Sequence, residues 1–141
     1  MATPRAANGV APPWAAGRWM RVTRVALVLN ALAHGSASLG FAFGFVPHAL
    51  DGPIMAHRAA AAGFAAVFML IFVASRLRRD PSSIVLALAF VFCNFADSGY
   101  ELSVSHDPNN LPPLIAESTF LAIYAVFLAS VLRARRATPS G

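Results

Sequence analysis

Residues 83–104 read "SIVLALAFVFCNFADSGYELSV". An α-helix crossing the hydrocarbon core needs about 20 mainly apolar residues, and this stretch reaches that length only by including Asn94, Asp97 and Glu101. On the insertion scale a charged side chain at mid-span costs about 2.5–3.5 kcal/mol, while each Leu, Ile, Val or Phe returns about 0.3–0.6 kcal/mol. The apolar run from Ile84 to Phe95 gains on the order of 3–4 kcal/mol, so a single ionised acid at the centre would cancel most of it. Residues at i, i+3 and i+7 share a helix face, which sends Asn94, Asp97 and Glu101 the same way. Asp97 and Glu101 are also a like-charged i, i+4 pair, unfavourable when both ionise. The stretch is read as a membrane helix whose polar face turns from lipid into the bundle interior, with at least one acid protonated or paired.

Three further segments have the same character, at residues 25–46, 54–75 and 114–132, with the third span at 83–104. The connections "PHALDGP", "RLRRDPS" and "SHDPNNLPP" each place proline beside Asp or Asn, which ends helices and turns the chain. The expected fold is all-α, an up-down bundle of four transmembrane helices occupying residues 22–135 as one domain. Composition agrees, since 57% of the 141 residues are hydrophobic and 12% charged, against about 25% charged in soluble domains. The net charge of +5 does not indicate nucleic acid, because all eleven basic residues are Arg and most sit at the edges of apolar runs. Cytoplasmic loops are enriched in basic residues. With both termini inside, ten of the eleven Arg fall on the cytoplasmic side and only Arg58 on the other. The expected location is the cell (inner or plasma) membrane.

Trp14 and Trp19, beside Arg18 and Arg21, read as interfacial anchors. They end an arm, residues 1–21, whose Pro- and Ala-rich start is expected to be disordered; residues 136–141 are expected to form a flexible tail. The basic start followed by "VALVLNALAHGSAS" also fits a secretory signal. The apolar pattern continues through "LGFAFGFV", which favours a retained first span. Small residues at four-residue spacing let membrane helices approach closely. Ser36, Gly40 and Gly44 provide such a face on the first span, Ala59 with Gly63 and Ala62 with Ala66 on the second, and Ala125 with Ala129 on the fourth. The stripe Phe64, Phe68 and Phe72 reads as helix packing or lipid contact. Cys93 has no partner in the chain and reads as a small packed residue.

Every span can contribute a polar group to one cavity on the outer side: His34, with Asn30 one turn before it, then Arg58, Asp97 with Glu101 and Asn94, and Glu117. Ionisable residues inside a membrane are functional candidates. Asp97 and Glu101 are the candidates for acid–base catalysis, and Asn94, Arg58, Glu117 and His34 for binding. Each of the others has a simpler role beside this one. Arg58 reaches headgroups by snorkelling, Glu117 suits a helix N-terminus, Glu101 becomes interfacial if its helix ends near Gly99, and His34 suits a packed, hydrogen-bonded position. No HExxH or ExxH spacing is present, and no phosphate loop or dinucleotide fingerprint. No metal and no cofactor are expected.

The four-span layout, the first helix ending "FGFVP", the "HRAAAAGF" start of the second and the early acid Glu117 in the fourth resemble the DoxX-like small four-helix membrane proteins over residues 22–135. The resemblance implies a membrane accessory or redox-linked role, as in some members, and carries over no catalytic residue; "NFADSGYE" in the third helix matches no part of that pattern. Three functions follow as expectations. First is binding of a lipophilic small molecule, or service as an accessory subunit of a membrane complex. An acid–base enzyme of the isomerase or cyclase type on a lipophilic substrate is second. Proton-coupled export by an oligomer is third. The expected partners are membrane lipid, a lipophilic small molecule and a larger membrane complex or homo-oligomer, with no nucleic acid.

Overall fold

The computed structural model describes residues 17–44, 53–106, 108 and 111–137. Trp14, the N-terminal arm before Gly17, residues 45–52 of the first connection and the tail after residue 137 lie outside the described residues. Among the described residues four α-helices follow one another: α1 (Arg18–Ala42), α2 (Pro53–Arg76), α3 (Ile84–Ser105) and α4 (Leu111–Ala137), with a 3₁₀ turn, Pro81–Ser83, before α3. All four are long and apolar enough to cross a membrane. No more than 28% of each span's most apolar segment is buried within the chain. The remainder presents Val25, Leu29, Phe68, Phe92 and Ile115 outward, far more apolar surface than water tolerates on a monomer. The chain is thus compatible with a small multi-pass membrane protein.

The helix ends differ from the hydropathy boundaries for local reasons. Arg18, Arg21 and Arg24 lower the hydropathy but favour helix, so α1 begins at Arg18, seven residues ahead of the apolar run. It stops at Ala42, and Gly44 follows with φ of 70°, a left-handed conformation that glycine adopts without steric cost. Gly44 therefore lies beyond the helix and cannot extend a Ser36–Gly40 face. α4 starts early because Pro112 and Pro113 fall in its first turn, where the missing N–H costs nothing. Between α2 and α3, the Asp80 carboxylate accepts from the Ser82 N–H and hydroxyl and caps the 3₁₀ turn.

The helices pack in the order α2–α1–α4–α3. α1 lies along α2 and also against α4, α3 lies against α4, and α2 and α3 touch only sparsely. The inward stripe on each helix recurs every three or four residues, and on α1, α3 and α4 it changes chemistry half-way along. Near the Arg-rich end it is apolar: Met20 and Leu27, Leu70 and Val73, Ile84 and Val91, Phe127 and Val131. Toward the opposite end the same stripes carry Asn30, His34 and Ser38 on α1, Asn94 on α3 and Glu117 on α4. The Arg-rich half is a mainly apolar core, with Thr23 and Ser83 its buried polar side chains, and the other half holds Asn30, Ser38 and Glu117.

α1 and α2 approach closely at Gly63, where a Cβ would overlap the Ser38 hydroxyl and lie 3.4 Å from the His34 carbonyl oxygen. Ser38, not Ser36, is the small residue of α1 at this contact. Ser36 is exposed and its hydroxyl donates to the backbone of its own helix. Phe64, Phe68 and Phe72 face outward, as a lipid-facing stripe would, and Arg76 sits 5.2 Å over the Phe72 ring. Cys93 is exposed rather than packed, because it lies about 100° round the helix from inward-turned Asn94.

Candidate functional site

His34 is the centre of the polar half. Its Nε2 lies 3.5 Å from Glu117 Oε1 and 3.5 Å from Asn94 Nδ2, joining α1, α3 and α4 at one atom. A ring nitrogen either donates or accepts. If Nε2 donates to the Glu117 carboxylate, Asn94 must turn its carbonyl oxygen toward it. If Nε2 accepts from the Asn94 amide, its one lone pair is used there and not on Glu117. The tautomer of His34 thus decides which of its two neighbours it bonds. The His34 ring meets Phe90 edge-on at 5.0 Å, and the Ser38 hydroxyl donates to the His34 carbonyl oxygen at 2.7 Å, so its place on α1 is held from both sides.

Glu117 is 8% exposed, and its second oxygen, Oε2, has no hydrogen-bond donor among the described residues. Below it, one to two turns toward the apolar core, Asn30 Nδ2 donates to the Tyr124 hydroxyl at 3.3 Å, and Tyr124 stacks on Phe120. Both Asn30 and Tyr124 are almost wholly buried. Tyr124 is a polar contributor that the sequence reading passed over. The available signal is its position seven residues after Glu117, which puts both on one face. Tyr124→Phe is expected to lower stability by about 1 kcal/mol, because the Asn30 amide loses its acceptor in a dry setting. Unfolding in bicelles checks this, and Asn30→Leu added to Tyr124→Phe should restore part of the loss.

Beside this cluster, a cavity of about 340 Å³ opens between α1, α2 and α3 where the last two part. One wall is Ala59, Ala62, Gly63 and Ala66 of α2; the facing walls carry His34, Phe41 and Phe90, with Asn94 and Asp97. The small residues of α2 therefore create space as well as close packing. Asp97 is exposed along the surface of α3 while bordering the cavity. An ionisable group there is costly against lipid, so its position favours a polar group opposite it.

The remaining candidates separate from this centre. Glu101 is exposed and does not line the cavity; it shares Asn94's face but stands about 10 Å further along the axis, beyond reach of His34. Arg58 is exposed on α2 and likewise lies outside the cavity lining. The structure thus brings together His34, Asn94 and Glu117, with Asp97 at the cavity edge, and centres the site on a histidine–carboxylate pair instead of two acids. Among the described residues no three His, Cys, Asp or Glu side chains are grouped to hold a metal ion. No protein-family model, no curated protein and no solved structure matches the chain.

Proposed function

We propose that this protein is a small integral membrane protein that binds a lipophilic small molecule in the α1–α2–α3 cavity, its polar end facing His34, Asn94 and Asp97. The observation that carries the reading is the meeting of polar groups from three helices at His34 Nε2, beside a cavity whose other walls are Ala, Gly and Phe with Ser38 and Asp97. Ligand sites are of this kind, mostly apolar with a few convergent polar groups and volumes from about 300 Å³. The sparse α2–α3 contact gives a lateral way in from the bilayer. Glu117, behind His34, fixes the imidazole, while Glu101 and Arg58 lie at the rim of the same end. The Arg-rich ends of all four helices are assigned to the cytoplasmic face of the cell membrane, which puts both termini inside and the polar half toward the outer leaflet.

A second reading, acid–base chemistry on the bound molecule, is favoured by the His34–Glu117 pair, 3.5 Å apart beside the cavity, with Asp97 as the group nearest the ligand. The accessory role implied by the DoxX-like resemblance is compatible with the large outward apolar surface, but that surface is equally what lipid requires.

Native mass spectrometry of the wild-type protein and of Asp97→Asn, extracted gently from membranes, tests the reading. A small lipophile is expected on the wild type and to be about 10–100-fold weaker on Asp97→Asn, the effect of losing one charge-assisted hydrogen bond. Equal retention by both proteins would remove Asp97 from the site. A wild type carrying only a larger protein would place the accessory reading first.

A further inference from the structure

We infer that a second site, on the opposite half of the molecule, holds the phosphate of an anionic phospholipid in a groove between α1 and the end of α2. Arg21 and Arg24 of α1 and Arg78, just after α2, line one open groove of about 860 Å³ together with Val25, Val28 and Leu29. Along α1 the lining runs from Met20 to Leu29, roughly 13 Å at the helical rise. The guanidinium groups are gathered toward one end and the other end is apolar. A free anion would use only the first part. A lipid uses both, with its phosphate between the arginines and the upper acyl chain along the valines.

Three observations favour this occupant. Guanidinium groups are the preferred partners of phosphate oxygens, and no acidic side chain among the described residues pairs with Arg21, Arg24 or Arg78. Asp80, the one acid described at this end, is turned to Ser82. Arg24, which lines the groove, also carries a buried Nε without a hydrogen-bond acceptor among the described residues, so its guanidinium is not held by the protein. The groove also lies level with the helix ends that carry Trp19 and the remaining arginines, the depth at which headgroups sit.

The test uses the full chain in detergent, titrated by native mass spectrometry with phosphatidylglycerol, phosphatidylcholine or inorganic phosphate. Wild type is expected to bind phosphatidylglycerol in preference to phosphatidylcholine, and the Arg21→Gln, Arg24→Gln, Arg78→Gln triple variant to bind it about 100-fold more weakly. A control triple, Arg133→Gln, Arg135→Gln, Arg136→Gln, removes the same charge from exposed positions at the same end and should bind within about 3-fold of wild type. Val25→Trp, an exposed groove position, keeps every charge and fills the path of the acyl chain; it should also weaken binding, and it decides the matter if the triple variant does not fold. Equal weakening by the two triples would reduce the effect to net charge and overturn the site. Full binding by Val25→Trp, or inorganic phosphate binding as tightly as phosphatidylglycerol, would overturn the lipid as its occupant.

Discussion

His34→Ala is expected to destabilise the folded protein by about 3 kcal/mol, the largest loss from any polar substitution in the bundle. The figure follows from what is left behind. Glu117 is 8% exposed and His34 is its one ion-pair partner among the described residues. Breaking a buried pair by removing one member typically costs about 3–5 kcal/mol, because the other is stranded. Hydrogen bonds in membranes average nearer 0.6 kcal/mol, so the stranded carboxyl group, not the lost bond, dominates. The signature is therefore non-additivity. Adding Glu117→Leu to His34→Ala should return at least half of the lost stability, since no buried carboxyl group then remains. Unfolding of the four proteins of this double-mutant cycle in bicelles measures it. Simple addition of the two single losses would show that the side chains do not interact.

Gly63→Leu is expected to have a comparable effect by a different route. A Cβ at this position already overlaps the Ser38 hydroxyl, which is held by the His34 carbonyl oxygen. Overpacking of this sort costs about 1–3 kcal/mol and sometimes more. Leucine must push α1 away from α2, displace His34 and fill part of the cavity, so stability and ligand retention should fall together. Gly63→Ala is milder, at about 1 kcal/mol. The Ser38 hydroxyl must give up its bond to the His34 carbonyl oxygen, and the helices must shift only by tenths of an ångström to relieve the 3.2 Å contact with the Ser38 Cβ. Ala61→Leu, on the exposed side of the same helix, should stay within about 0.5 kcal/mol of wild type. Thermal unfolding of the three variants orders them, and an Ala61→Leu loss as large as that of Gly63→Leu would contradict the close approach.

The four helices were legible because each carries an apolar run of spanning length, and hydropathy integrates over the whole run. Their ends were less so. Hydropathy places Arg18 to Arg24 outside the first span, although long basic stems are good helix formers, and it carries the span past Gly44, whose conformation ends the helix. The polar candidates stood out singly in apolar surroundings, which is how His34, Asn94 and Glu117 could be named. Which of them meet depends on the rotation and offset of helices far apart in sequence, and no local pattern encodes that. Asn94, Asp97 and Glu101 look equivalent at i, i+3 and i+7. Yet Asp97 is turned about 60° aside and Glu101 stands two turns further on, and in a bundle those offsets separate a core contact from a cavity edge and from an exposed position. Tyr124 was hidden by its chemistry, since an aromatic in an apolar run reads as core until its hydroxyl finds Asn30.

The central claim is that α1 and α4 place His34 against Glu117 inside the bilayer. Solid-state NMR of the protein in lipid bilayers, with ¹⁵N-labelled histidine rings and ¹³Cδ-labelled glutamate, measures this contact directly. Four histidines and the two glutamates Glu101 and Glu117 carry the labels. Dipolar dephasing between a ring nitrogen and a carboxyl carbon is expected in the wild type, retained in Glu101→Gln and abolished in Glu117→Gln. Dephasing that survives in Glu117→Gln, or none in the wild type, would contradict the site.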